Sequence, residues 1–576
     1  MARRSALLVV AAALALARAS SPPSSLRGGA AARSAPPSKP PSFVFLLSES
    51  LDGRLLRPDS PAKIPHIRAL LASGSVRFDS AYSNSPVCAP ARSALHSGRD
   101  VHRIPHTHNG MAVRGAWNNY EGLDRNYSGG LLHERLAAAG YATQVSGKTD
   151  WVVGGHSETC QLASLSFYVP WPYNITADGG WNEEDVFCAS DGPVAPGGSG
   201  GAEGSVYEAD WKIMNETARF AASAPQPFYA FAGTSILHPP YATTQHWYAV
   251  AAEQPVPDWL PLDSPALHPC DLQASMKRGC TPGGANASAL ADFYSVARRA
   301  RVRRVYLAEL EEFDAMVGLV VAALDAAGRW RDGSTKIVLA ADHGDMQLER
   351  QMFYKMVPYD ASARVPLIFA SPALAPLGAK TVTQPATLID IFPTLLGLAG
   401  APVPDFADGF DLAPFLAGAE RDAARPPFVA MQNHDEDLSS SWFAVANGTH
   451  KYIVYGAGGL VAPQLFDLVN DPSETTNLFN SSDAARAAQA SLDAAQRTII
   501  DYPSVAQDVA DYQLEQLRWW AANGTTDWRK EIQSPNIRWH DAFAAHSKEA
   551  LAAVEAYLAQ PAAVIRACNG AVVANI

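Results

Sequence analysis

Cysteine is scarce in this chain, with six in 576 residues. So few cysteines in so long a chain exclude a small disulfide-stapled scaffold. Basic residues are also in short supply. Lys and Arg total 45 against 57 Asp and Glu, a net charge of −12. That balance argues against general affinity for nucleic acid, so an anionic ligand would need a local cluster of positive groups. Beyond the N-terminal segment no run reaches about 18 uninterrupted apolar residues, which leaves no candidate transmembrane span. No internal repeat is visible, which sets aside solenoids and propellers. What is present is an apolar fraction of 48% with 13 Trp, the composition of a globular chain able to bury large cores.

The N-terminus reads as a signal peptide over residues 1–19. Arg3 and Arg4 precede an apolar run from Ala6 to Ala17, and Ala17-Arg18-Ala19 offers a small-x-small cleavage site. Residues 20–41, rich in Ser, Pro, Ala and Gly, read as a flexible leader. Asn-x-Ser/Thr sequons at Asn126, Asn174, Asn215, Asn286, Asn447, Asn480 and Asn523 agree with the secretory route, and hence with a lysosomal or extracellular destination. Spacing suggests Cys270 with Cys280 and Cys160 with Cys188 as disulfide pairs, which leaves Cys88 free.

Past the leader, strand-like and helix-like segments alternate. Phe43–Ser48, Phe228–Ala232, Lys336–Ala341 and Leu367–Ala370 are short apolar runs of the kind buried in parallel sheets, and Tyr141–Val145 reads as a further strand. Residues 64–73, Gly130–Ala139 and Val302–Ala327 read as helices, the last with a clear 3–4 residue apolar spacing and Gly328 at its end. This is the pattern of an α/β fold. Beyond about residue 420 the pattern changes. Trp442–Val445 and Tyr452–Tyr455 read as antiparallel strands, followed by helices near 484–500, 507–521 and 541–558. The expected division is a catalytic domain over 42–420 and a smaller C-terminal α+β domain over 421–576.

Cys88-Ala89-Pro90-Ala91-Arg92 reads as a thiol at the mouth of a helix, with Pro90 in the first turn and Ser97-Gly98 at the end. Unpaired N–H groups and the positive end of the dipole favour an anion there. A loop carrying His102, Arg103, His106 and His108 follows. In α/β sheets ligands sit beyond the carboxyl ends of strands. Those places hold Glu49, Lys148, His238 and the Asp342-His343 pair. Each has an ordinary reading alone: a solvated acid, a surface lysine, a loop histidine, a turn cap. Together, beside the helix-mouth cysteine, they describe a pocket for an oxyanion. Glu49, Asp342 and His343 offer ligands for a cation, and carboxylate oxygens at roughly 2.3–2.6 Å suit Ca²⁺. Mg²⁺ and transition metals stay open at this point.

These residues carry a family resemblance. Cys88-x-Pro90-x-Arg92 resembles the signature of the type I sulfatases, and Ser97-Gly98-Arg99, Gly147-Lys148, His238-Pro239, Asp342-His343-Gly344 and Lys355 match further family elements. Four more stretches, Trp117–Asp124, Arg350–Met356, Gln464–Leu468 and Asn536–His540, are similar to one branch of that family. That branch removes the 2-O-sulfate of glucuronate from glycosaminoglycans in lysosomes. The resemblance runs from residue 42 to about 545. It implies an alkaline-phosphatase-like sandwich with a large, mostly parallel sheet. It also implies a sulfuric ester hydrolase acting on a sulfated carbohydrate or aryl sulfate, with a 2-O-sulfated uronic acid as the candidate group.

The resemblance further implies that a formylglycine-generating enzyme oxidises Cys88, and that the hydrated aldehyde is both nucleophile and metal ligand. One hydroxyl attacks sulfur and the other then expels sulfate. Glu49, Cys88, Asp342 and His343 would hold one Ca²⁺, and Arg92 would steady the hydrate. Lys148 and Lys355 would bind sulfate oxygens. His238 or His268 would bind sulfate or protonate the departing alcohol, and Asp150 or His156 would be the base that releases sulfate. The chain departs from the family at Glu49, where the family has Asp, at Ser50, where many members have a second Asp, and at Thr149-Asp150, where many have Trp-His. Two alternatives stand beside this reading. One is a phosphomonoesterase or phosphodiesterase of the same fold, and the other a non-catalytic glycan-binding homologue.

Overall fold

Seven short segments pair into one sheet, and all but the edge strand at 379–382 carry mostly buried side chains, which gain most from a ladder that satisfies their backbone. In chain order the strands are β1 (Ser42–Ser48), β2 (Ser75–Phe78), β3 (Ala142–Gly147), β4 (Phe228–Gly233), β5 (Thr335–Ala341), β6 (Leu367–Ala370) and β7 (Ala379–Val382). Their order across the sheet is β7-β2-β6-β5-β1-β4-β3. In this computed structural model the described residues are 39–512, apart from 109–110, 118–122, 124–126, 152–193, 196–204, 240, 259–267, 269–270, 272–294, 353, 435–440, 457–460 and 510. The signal peptide, most of the leader, the proposed cysteine pairs, His156, the 541–558 helix and the Asn536–His540 stretch lie outside them.

β1 pairs in parallel with β5 on one side and β4 on the other, and β4 pairs in parallel with β3. β6 runs antiparallel to both β5 and β2, so it alone points against the rest. Leu367–Ala370 was expected to be a parallel strand like the other apolar runs. Direction is not written in an apolar run of four, because the same side chains are buried either way. β2 and β7 were not anticipated, since Arg77 and Lys380 interrupt their apolar character.

Helices cover both faces. The long helix α5 (Val296–Ala326) packs on α1 (Pro65–Ala72) and α4 (Glu208–Ser223). A second group is formed by α2 (Cys88–Ser97), which packs on α3 (Leu132–Ala138) and α6 (Ile391–Leu398). One apolar core runs through strands and both groups, including Phe43, Phe45, Phe231, Leu95, Leu310 and Phe313. Alternating strands and helices with a large, mostly parallel sheet match the α/β expectation.

A separate four-stranded antiparallel sheet follows, made of β8 (Val429–Asn433), β9 (Trp442–Ala446), β10 (His450–Tyr455) and β11 (Gln464–Asp467). α7 (Asp483–Ile499) packs against it through Ala485 and Leu492. The described residues from Pro40 onward belong to one compact unit. The segment at 102–108 differs from the loop expected. Residues 101–103 form a helical turn, and Pro105–His108 pairs with Met111–Arg114 as a hairpin.

Candidate active site

The sheet brings four strand ends side by side. In the order β3, β4, β1, β5 their carboxyl ends lead into Lys148, His238, Glu49 and Asp342-His343. Two glycines make the crossing close enough. Gly147 has a φ of +81°, and a Cβ there would fall 2.0 Å from the Gly233 carbonyl oxygen; one on Gly233 would fall 2.0 Å from the Lys148 carbonyl oxygen. Only backbone fits between these two strand ends. Into this floor α2 projects its first residue, Cys88, with Val87 extended before it and Gly98 left-handed after it.

Glu49 is the hub. Its Oε1 lies 2.9 Å from Cys88 Sγ, 3.2 Å from Lys355 Nζ and 3.3 Å from His343 Nε2. Its Oε2 accepts from Arg92 at 2.6 Å and pairs with Lys148 Nζ at 2.9 Å. Burial pushes this carboxyl up, but Lys148, Lys355 and Arg92 outweigh it and hold it well below the usual carboxylate range. Arg92 also donates to Asp342 Oδ2 at 2.7 Å and to the Lys148 carbonyl at 2.7 Å. Its guanidinium therefore fixes both carboxylates. Lys148 Nζ lies 3.4 Å from Asp150 Oδ2.

Cys88 is fully buried and is not part of a disulfide. Lys355 Nζ lies 2.7 Å from its sulfur. Burial, and then the neighbouring Glu49, push the thiol up to about 12 against the pull of Lys148 and Lys355. At neutral pH residue 88 as cysteine is thus a protonated thiol, which is a weak nucleophile.

Ligand atoms of Glu49, Cys88, Asp342 and His343 all lie within 4.8 Å of one another. His343 Nδ1 faces the Gly344 carbonyl at 2.9 Å, so that nitrogen carries the proton. Burial lowers the affinity of the ring for a second proton. Its bare Nε2 then faces Glu49 Oε1 at 3.3 Å and Asp342 Oδ1 at 3.6 Å. Lone pairs converge there with no proton between them, an arrangement that fits a divalent cation.

His238 joins this cluster. His238 Nδ1 faces the Pro239 carbonyl, and its Nε2 lies 2.9 Å from the Tyr354 hydroxyl and 3.9 Å from Glu49 Oε1. Burial, reinforced by Lys355 and Lys148, holds its pKa well below the ordinary value. The contacts described for His268 are elsewhere. Its Nε2 lies 2.8 Å from the Ala462 carbonyl, and its ring stacks on Tyr455.

Three contributors were not anticipated. Tyr354 bonds His238 and places its ring 4.4 Å from Lys355 Nζ. Tyr306 on α5 donates to the Ser50 carbonyl and accepts from Asp52 N at 3.0 Å, holding the turn after Glu49. Asp210 on α4 accepts from Ser235 N at 3.0 Å and Ile236 N at 2.7 Å, pinning the turn before His238. Tyr306 fits the apolar stripe of its helix, so its hydroxyl left no separate signal. Asp210 had none either, because an acid in the first turn of a helix reads as an ordinary dipole partner.

The sulfatase family profile matches residues 41–401. The chain belongs to the sulfatase family. A second profile, N-sulphoglucosamine sulphohydrolase C-terminal, matches residues 348–499. Arylsulfatase K of Canis lupus familiaris is 30% identical over 549 residues, covering 90% of this chain and 93% of its own. Arylsulfatase K of Homo sapiens is 29% identical over 531 residues, covering 87% and 90%. This sulfatase is accordingly a sulfuric ester hydrolase. Among solved structures a phosphonate monoester hydrolase from Silicibacter pomeroyi superposes with a TM-score of 0.62 at 22% identity, over 80% of this chain and 96% of that one. A 2-O GAG sulfatase superposes with a TM-score of 0.58 at 21% identity, over 82% and 94%. At those identities the likeness is one of fold. Among the described residues no helix is long and apolar enough to cross a membrane.

Proposed function

We propose that this sulfatase removes sulfate from a carbohydrate, with a 2-O-sulfated uronic acid as the group it takes, and that residue 88 acts as formylglycine made from Cys88 by the formylglycine-generating enzyme. The secretory route, ending in a lysosome or outside the cell, supplies the compartment for that modification. The observation that carries the reading is the state of Cys88. A buried thiol pushed up to about 12 is a poor nucleophile, yet it sits at the meeting point of two lysines, two carboxylates and an imidazole. Such a setting suits a residue that does its chemistry in another form.

Glu49, Asp342, His343 and residue 88 would hold one Ca²⁺. When bound, that ion would supply positive charge beside the sulfate, and the hydrate of residue 88 would supply a hydroxyl nucleophile. The remaining tasks belong to this chain's own side chains. Lys148 and Lys355, both buried and charged, stabilise the equatorial oxygens of the sulfate. Arg92 keeps Glu49 and Asp342 ionised and oriented. His238 Nε2 accepts a hydrogen bond from the Tyr354 hydroxyl. A sulfate ester, a monoanion, seated between the lysines would raise its proton affinity, which prepares it to protonate the leaving alcohol. Asp150, which lies beside Lys148, would take the proton when sulfate is released. His268 stays the second candidate acid.

Mass spectrometry of the Cys88 peptide from secretory-pathway material tests the reading. It should show formylglycine, and finding only the thiol would sink it. Rates on matched 2-O-sulfated and phosphorylated uronate disaccharides separate this reading from a phosphoesterase. Cys88→Ala should reduce sulfate release to background.

A further inference from the structure

Lys355 reaches residue 88 on a segment with unusual backbone. Gln347, Leu348, Arg350, Gln351, Tyr354 and Met356 all have φ between 47° and 75°. A side chain in that region costs on the order of 1–2 kcal/mol per residue. A segment so wound does not hold itself in place, and its partners must do so.

At the Lys355 end the partner is the antiparallel sheet. Met356 N donates to the Pro86 carbonyl at 3.0 Å, two residues before Cys88. The Met356 carbonyl accepts from Trp442 Nε1 at 2.9 Å and from Asn433 Nδ2 at 3.4 Å. Asn433 and Trp442 face each other as the end pair of β8 and β9. The same sheet end also grips the approach to Cys88. Ser85 Oγ donates to Asn433 Oδ1 at 3.3 Å, and Gln432 N donates to the Asn84 carbonyl at 3.0 Å. Ser85, Asn433 and Trp442 are all buried, so water does not substitute readily for a lost donor.

We infer that the cross-strand pair Asn433–Trp442 is a positioning device that sets Lys355 Nζ against residue 88, and with it the subsite for one sulfate oxygen. The inference rests on the assignment of Lys355 to sulfate binding. Neither residue touches the reacting atoms in this arrangement; both act through Met356. Without the indole donor the left-handed Met356 is free to relax, and a displacement of about 1 Å at the lysine costs roughly 100-fold in rate.

Trp442→Phe removes the N–H and keeps an aromatic ring. It should lower kcat/KM by about tenfold or more, weaken inhibition by inorganic sulfate, and lower the urea midpoint only by the small step that the loss of one buried hydrogen bond brings. A cycle with Lys355→Met separates positioning from a general structural role. If Trp442 acts through Lys355, the double variant is no slower than Lys355→Met alone. Losses that multiply, or a Trp442→Phe protein with parental kcat/KM and sulfate inhibition, overturn the inference. Parental turnover in Lys355→Met would instead remove the assignment of Lys355 on which the inference rests. Should Trp442→Phe not fold, Asn433→Ala removes the other donor to Met356 and enters the same cycle.

Discussion

Glu49 stands where the family has aspartate, and its extra methylene is put to use. One oxygen meets Cys88, Lys355 and His343, and the other meets Arg92 and Lys148. Three buried cations therefore depend on one carboxylate, with Asp342 and Asp150 as the remaining counter-charges. Neutralising it leaves those cations without their partner in a dry site, which typically costs about 3–5 kcal/mol. Glu49→Gln should lower unfolding stability by that order and abolish turnover, whereas Glu49→Asp, which keeps the charge, should lose clearly less. Urea midpoints of the two variants side by side decide this, and equal losses would show that charge is not what the site requires of residue 49.

At the scale of elements, the clearest requirement is the glycine crossing at the ends of β3 and β4. Gly233→Ala would push a Cβ to 2.0 Å from the Lys148 carbonyl, the same carbonyl that Arg92 holds. Backbone on both sides leaves nothing flexible to give way. The variant should lose about 1–3 kcal/mol of stability. It should also lose at least about tenfold in kcat/KM, because Lys148 moves with its backbone. Steady-state kinetics at parental stability would contradict the account. α5 makes a second requirement. Its buried Glu312 accepts from Ser205 and from Trp211 Nε1 at 2.8 Å, and burial raises its pKa to about 7 from an ordinary 4.5. Between those values the folded protein binds a proton that the unfolded chain has released. Stability from this group therefore falls as pH rises through that window, by up to about 3 kcal/mol. Glu312→Gln should flatten the pH dependence of the urea midpoint between about pH 5 and pH 8, and an unchanged slope would show that Glu312 is ionised throughout.

The same two elements show what was legible beforehand. The strands ending in Glu49, His238 and Asp342 were readable because apolar runs stop at polar residues, the strand before Lys148 follows a glycine-ended helix, and their shared sheet edge follows from α/β topology. The Gly233–Lys148 crossing was not, since it depends on how closely two strands approach. The polar row on α5 was hidden because Glu309, Glu311, Glu312 and Asp314 read as an ordinary solvated face. In the fold they accept from the backbone or side chains of Ala242, Lys63, Ser205 and Ile67.

At the scale of the whole molecule, the antiparallel sheet is joined to the catalytic segment by buried charge. Lys451 on β10 donates to Asp360 Oδ1 at 2.5 Å and to the Pro358 carbonyl at 2.9 Å, and pairs with Glu474 Oε1 at 2.8 Å. Asp360 also pairs with Arg364 at 2.9 Å, and Glu474 Oε2 accepts from Asp360 N at 2.6 Å. Two cations thus balance two carboxylates with almost no access to water. Lys451→Met breaks that balance: Arg364 still answers Asp360, but Glu474 becomes a buried acid without a counter-charge. The cost should be about 3–5 kcal/mol. Adding Glu474→Gln removes the orphaned charge, and a glutamine oxygen can still accept from Asp360 N. The double variant should therefore recover at least about half of the loss, as buried ion sets commonly do when they are neutralised together. If it is instead less stable than Lys451→Met, the join depends on Glu474 itself and not on charge balance.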